Sequence, residues 1–138
     1  MAEPLFDYSG HDLSRTHVPP DRLDTLLPQC GDMRQLDRVV WIDDTAKYAI
    51  GLKELRDDEF WVPGHIPGRP LLPGVMMIEA AAQLSSVLYK YRLEADNLPW
   101  EGFLGFTRVD NCVFRGSAAP GDTLVLLAVE KKFQRRRF

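Results

Sequence analysis

The chain is poor in cysteine and histidine, with two of the first (Cys30 and Cys112) and three of the second in 138 residues. Neither cysteine has other ligand types beside it at metal-binding spacing. A disulfide framework and a zinc motif are therefore both missing, and the reading is two free thiols in a reducing cytoplasm. The N-terminus, MAEPLFDYSGHD, lacks a basic stretch followed by an apolar run, so no secretory signal is visible. The longest apolar stretch, Leu71 to Tyr89, approaches a membrane span in length. Pro73, Glu79 and Gln83 interrupt it, and it reads as a buried helix rather than a bilayer segment. Internal repeats and low-complexity tracts are also missing. So is any global excess of positive charge: the net is −3, and residues 1–130 alone carry −8 because five basic residues and no acid crowd into 131–138 (KKFQRRRF). That balance excludes a globally basic nucleic-acid binder and leaves room for a local basic patch.

Hydrophobic residues make up 45% of the chain and charged residues 27%, enough apolar mass for one soluble domain. Residues 1–20 are polar, end in Pro19-Pro20, and read as an irregular arm ahead of a domain over 21–138. Leu23, Leu26 and Leu27 have helical spacing, and Pro28 ends that short helix. Residues 38–43 (RVVWID) read as a strand with a turn at Asp43-Asp44. Residues 46–54 alternate, with Ala46, Tyr48, Ile50 and Leu52 on one face and Lys47, Ala49, Gly51 and Lys53 on the other. This is a half-buried strand, and the pair reads as a hairpin. A loop dense in proline and glycine follows, then a helix from Gly74 to Tyr91. That helix is apolar nearly all round and must be wrapped by other structure. Residues 102–115 and 123–133 read as two further strands, joined by a turn at Ala119-Pro120-Gly121-Asp122. Hairpin, long apolar helix and more strands give an α+β fold, an antiparallel sheet curved around one central helix.

The chemistry concentrates between Gly64 and Gln83. Three prolines (Pro67, Pro70, Pro73) and three glycines (Gly64, Gly68, Gly74) fix the backbone of this loop and hold His65 in one place. Pro73 suits the first turn of a helix, where its missing N–H costs nothing. The free amides of Gly74 and Val75, with the helix dipole behind them, can receive a developing oxyanion. Glu79 follows on the helix between Ile78 and Ala80. Burial without a cation should raise its pKa and make it a proton donor beside a neutral imidazole. Gln83, one turn on, can hold that carboxyl or an ordered water.

Gly64-His65-x-Pro67-Gly68-x-Pro70-x-x-Pro73-Gly74-Val75, followed by Glu79-Ala80-x-Ala82-Gln83, resembles the signature of the FabZ-type β-hydroxyacyl-ACP dehydratases. Leu36-Asp37-Arg38-Val39, Phe114-Arg115 and Pro120-Gly121-Asp122 resemble further elements of that family, so the likeness covers about residues 21–133. It implies a hotdog fold and dehydration of a 3-hydroxyacyl thioester to the trans-2-enoyl thioester in fatty acid or related lipid biosynthesis. In this reading His65 takes the C2 proton, Glu79 protonates the departing hydroxyl and the Gly74 amide binds the thioester carbonyl. No metal or other cofactor is implied. The resemblance further implies a homodimer with shared sites, His from one subunit and Glu from the other, and assembly of three dimers into a hexamer. Glu rather than Asp on the helix resembles the dehydratase-only branch.

Three departures stand against the resemblance. Residues 28–36 (PQCGDMRQL) replace an aromatic, apolar run with Asp32, Arg34 and Gln35. Ile66 and Val62-Pro63 replace aromatic positions around the histidine. The family's sheet continues past residue 133 with another hairpin, so the expectation is a sheet short by a strand or a chain cut short, its edge kept soluble by the basic cluster. A thioesterase and a specialised or non-catalytic hotdog subunit are the alternatives. The acyl carrier is an acyl carrier protein or CoA. An acidic carrier meeting a body of net −8 needs a basic landing patch, for which Arg69, Arg108, Arg115, Arg135, Arg136 and Arg137 are the candidates.

Overall fold

Strand β1 (Arg38–Ile42) and strand β2 (Tyr48–Glu54) form the expected antiparallel hairpin in the computed structural model, which describes residues 3–135. Asp43 builds the turn between them. Its carboxylate accepts the amides of Lys47 and Tyr48 at 2.7 Å each, and also the amide and hydroxyl of Thr45. The short helix α1 (Pro20–Leu26) precedes the hairpin, and a single 3-10 turn (Gly31–Met33) lies between. The long helix α2 runs Gly74–Ala95, four residues beyond its expected end, and β3 (Thr123–Val129) completes the sheet. Among the described residues the sheet has three strands in the order β1-β2-β3, all antiparallel. Helix α2 lays Ala80, Leu84, Val87 and Leu88 against it, and this is the α+β architecture expected.

Several expectations need correction. The strand at 46–54 is not half-buried: in β2 the five residues from Ala49 to Lys53 are all buried. Ala49 and Gly51 face α2, where a side chain at Gly51 would meet Leu36 at 2.8 Å and Leu84 at 3.0 Å. Ile50 and Leu52 point the other way, and Phe6, Tyr8 and Leu13 of the arm cover them. The arm's end also pairs with the outer edge of β1 at one residue. Val18 exchanges backbone hydrogen bonds with Val39 at 3.0 and 3.2 Å, which covers part of an otherwise exposed strand edge.

Residues 102–115 form no strand. Their alternation suits one, but a strand needs a neighbour to take its backbone hydrogen bonds. Among the described residues β2 already pairs on both sides, and no strand pairs with this stretch. Phe103 is consequently 92% exposed, and Phe106, Val109, Val113 and Phe114 are exposed with it. The following strand stops at Val129 rather than 133. Helix α2 is likewise not wrapped on all sides, since Val75 is 69% exposed and Ala81 lies open. No described helix is long and apolar enough to cross a membrane.

Candidate active site

His65 sits in a loop tied down at both ends. Its amide and that of Gly64 donate to the Trp61 carbonyl at 2.8 and 3.3 Å, and the Arg69 amide donates to the Ile66 carbonyl at 2.9 Å. Ile66 adopts a φ of +55°, a left-handed conformation that a β-branched residue takes only under constraint. The His65 ring is held by its Nδ1, 2.8 Å from the Leu71 carbonyl oxygen. A carbonyl oxygen only accepts, so Nδ1 carries the hydrogen. In the neutral ring this leaves Nε2 with its lone pair free. The loop therefore fixes position and tautomer together, and the atom left available is a base.

Glu79 lies half-buried on α2, and its Oε1 accepts a hydrogen bond from Gln83 Nε2 at 2.8 Å. The orientation of Gln83 is set by the backbone. Its Oε1 accepts the amides of Gln35 and Leu36 at 2.8 and 3.0 Å, and its Nε2 also donates to the Met33 carbonyl at 2.8 Å. All four bonding positions of this amide are filled, and the side chain is only 1% exposed. Oε1 of Glu79 is occupied as an acceptor, so a proton on this carboxyl resides on Oε2. The unusual segment 28–36 thus has a definite role, since its backbone forms the seat of Gln83.

At the start of α2, Pro73 occupies the N-cap rather than the first turn and supplies no side-chain cap. The Pro73 carbonyl accepts the Met76 amide at 2.9 Å. Among the described residues nothing accepts the Gly74 or Val75 amide, so both remain available to a ligand oxygen at the positive end of a long helix. The Phe114 ring lies over Gly74, 3.0–3.1 Å from where a side chain there would begin. Glycine is needed for that close approach.

Within one chain, and among the described residues, no hydrogen bond or ion pair joins His65 to Glu79. Two surface cavities, one beside Lys90, Trp100 and Phe103 and one beside His11, Arg15, His17 and Trp41, include neither residue. Gly64 is exposed at the approach to His65. Of the candidate docking arginines, Arg69 and Arg115 are exposed with no ion pair among the described residues. Arg108 is paired with Asp110 at 2.8 Å, and Arg135 is exposed. Arg136 and Arg137 lie outside the described residues.

Sequence reasoning missed the groups that bond His65 and Gln83, namely the Leu71 carbonyl and the Gln35 and Leu36 amides, and it also missed a buried cluster of Lys53, Glu59 and Trp61. Backbone groups leave no trace in a sequence. Glu59 did leave one, as an acid flanking the apolar pair Phe60-Trp61, but it was masked by the exposed run Asp57-Asp58 beside it.

A family model described as a FabA-like domain matches residues 27–138. Among curated proteins, the chain is 33% identical to the 3-hydroxyacyl-[acyl-carrier-protein] dehydratase FabZ of Xanthomonas campestris pv. campestris strain B100 over 126 residues. That alignment covers 91% of this chain and 81% of the relative. It is 32% identical to the protein of the same name from Xanthomonas oryzae pv. oryzae strain PXO99A, with the same coverage. It is 30% identical to that from Xanthomonas euvesicatoria pv. vesicatoria strain 85-10, covering 82% of the relative.

Proposed function

The chain belongs to the FabA-like family of hotdog proteins, and on that premise we propose how it works as a 3-hydroxyacyl thioester dehydratase, a hydro-lyase of fatty acid or related lipid biosynthesis acting on acyl-carrier-protein substrates. The observation that carries the residue assignment is the bonding of the two side chains. His65 is held as the Nδ1–H tautomer with Nε2 free, and Glu79 is held through Oε1 with Oε2 free.

The thioester carbonyl oxygen binds the free Gly74 amide, with Val75 beside it. The negative charge that grows on this oxygen as C2 loses its proton is stabilised there. His65 Nε2 takes the C2 proton, and the C–H electron pair becomes the C2–C3 double bond. The C3–O bond breaks, and the leaving hydroxyl takes the proton from Glu79 Oε2 and departs as water. The imidazolium and carboxylate left behind return to their starting forms by proton exchange through solvent. Gln83 and Pro73 position these groups without touching the substrate.

His65 and Glu79 share no bond in one chain, and the apolar surfaces nearest them are uncovered. The reading therefore takes the site to be completed by a second copy, with His65 of one subunit facing Glu79 of the other. The exposed, β-patterned stretch 102–115 and the open N-terminal half of α2 are the surfaces that copy covers.

Incubation with 3-hydroxyacyl thioesters, following enoyl absorbance and free thiol together, tests the reaction. Alkene without thiol is expected, and thiol without alkene would replace the dehydratase by a thioesterase. Shared sites are tested by mixing inactive His65→Ala and Glu79→Gln proteins. Random exchange between two-fold dimers restores about a quarter of the wild-type activity when the sites are shared and none when each chain holds its own.

A further inference from the structure

Two charged side chains lie inside the protein away from the reacting groups. Lys53 is 1% exposed and Glu59 is 8% exposed. Taking both out of water is costly, and an apolar pair of similar volume would serve stability as well. Their bonds suggest another purpose. Lys53 reaches Glu59 Oε2 at 2.9 Å from the end of β2, on the face turned to α2. The same oxygen accepts the Trp61 indole N–H at 3.0 Å, and Oε1 accepts the Arg56 amide at 3.0 Å. Trp61 is itself buried, packed with Leu55, Leu72 and Ala118, and its carbonyl receives the His65 amide.

These contacts form one continuous path from a strand of the sheet to the base. Lys53 is fixed by β2 and aims Glu59. Glu59 holds the indole and the turn around Arg56. The indole sets the peptide whose carbonyl anchors His65. Resting on the dehydratase reading above, we infer that Lys53, Glu59 and Trp61 are positioning residues for His65. The carboxylate at 59 acts as an acceptor for Trp61 and Arg56, and Lys53 serves to keep it ionised and aimed. The buried charge is retained because a neutral apolar substitute offers no acceptor to the indole.

The decisive variants separate an acceptor from an ion pair. Trp61→Phe removes only the indole end of the path and keeps an aromatic ring in the pocket. The exchange Lys53→Glu with Glu59→Lys preserves an ion pair but moves the carboxylate away from Trp61 and Arg56. In both, kcat is expected to fall about ten- to a hundredfold with KM changed less than threefold, as for a base displaced by roughly an ångström. Nitrogen NMR of histidine-labelled protein is expected to show His65 passing from the Nδ1–H form to a tautomer mixture, and its amide to exchange faster. Where the double exchange does not fold, Trp61→Phe alone decides. Wild-type kcat, tautomer and amide exchange in Trp61→Phe would overturn the inference, as would full recovery of kcat by the charge exchange. A wild-type protein that dehydrates no 3-hydroxyacyl thioester would overturn the dehydratase reading instead. The NMR arm needs no turnover and would then decide the positioning by itself.

Discussion

Gln83 shows how much one side chain can hold in place. Replacing it with Met keeps the volume but strands the buried amides of Gln35 and Leu36, at about 1–3 kcal/mol for each group left unsatisfied. Gln83→Met is therefore expected to lower the melting temperature and also to release Glu79, with kcat falling more than KM. Calorimetry and steady-state kinetics on the same preparation check both. Removing the reacting groups themselves is a different experiment. His65→Ala and Glu79→Gln should each lose about 10²–10⁴ in kcat, the range for a single general acid or base, while melting like the wild type. Glu59 adds a pH effect. Burial pushes its carboxyl up, but the hydrogen bonds from Arg56, Lys53 and Trp61 and the charge of Lys53 bring it below its ordinary value of 4.5. Its folded pKa is depressed, so its stabilisation is fully present above the ordinary value of 4.5 and is lost as pH falls through the lower folded value. Melting temperatures taken downward from pH 6 should drop more steeply in the wild type than in Glu59→Gln. The proposed reacting residues, His65 and Glu79, stand out in the sequence because their spacing matches a motif. Their supports do not, because three are backbone groups and Lys53 stands in an alternating strand where a lysine ordinarily marks the solvent side.

Helices and strands were legible where their own neighbours sufficed. The hairpin, with Asp43 at its turn, and the long helix after Pro73 depend on local pattern and were read with boundaries off by a few residues. The face of β2 turned to the helix was not legible, because it carries Ala49 and Gly51 rather than large residues. Small side chains there let α2 come close, and periodicity registers size poorly. Gly51→Ala tests this. The added methyl meets Leu36 and Leu84 at 2.8 and 3.0 Å, and overpacking of this kind costs about 1–3 kcal/mol. Urea denaturation should show a lower midpoint with an unchanged slope. The stretch 102–115 failed for the opposite reason: it has the right local pattern and no neighbour to pair with, and pairing is a property of two segments, which one segment's sequence does not record.

At the scale of the molecule, charge bears on the proposed encounter with an acidic carrier. A body of net −8 over residues 1–130 repels an acidic protein, and the exposed Arg69 and Arg115, without an ion pair among the described residues, lie nearest the His65 loop and Phe114 in sequence. Activity on carrier-protein substrates should fall with added salt, while activity on short neutral thioesters holds nearly constant, because screening acts on the protein encounter alone. Equal salt dependence for both substrates would remove the arginines from docking. Connectivity has a consequence of another kind. Tyr48 takes Val129 as its partner and Glu54 takes Thr123, so the middle strand waits for its second neighbour until the helix and everything after it has been synthesised. The hairpin and helix can form early from nearby contacts, but closing the sheet requires the chain to return across a long loop, which is entropically slow. During that interval on the ribosome the helix-facing side of the hairpin is open. Ala49 and Gly51, too small to present much apolar surface, make this exposed intermediate less adhesive than a strand of large residues would be.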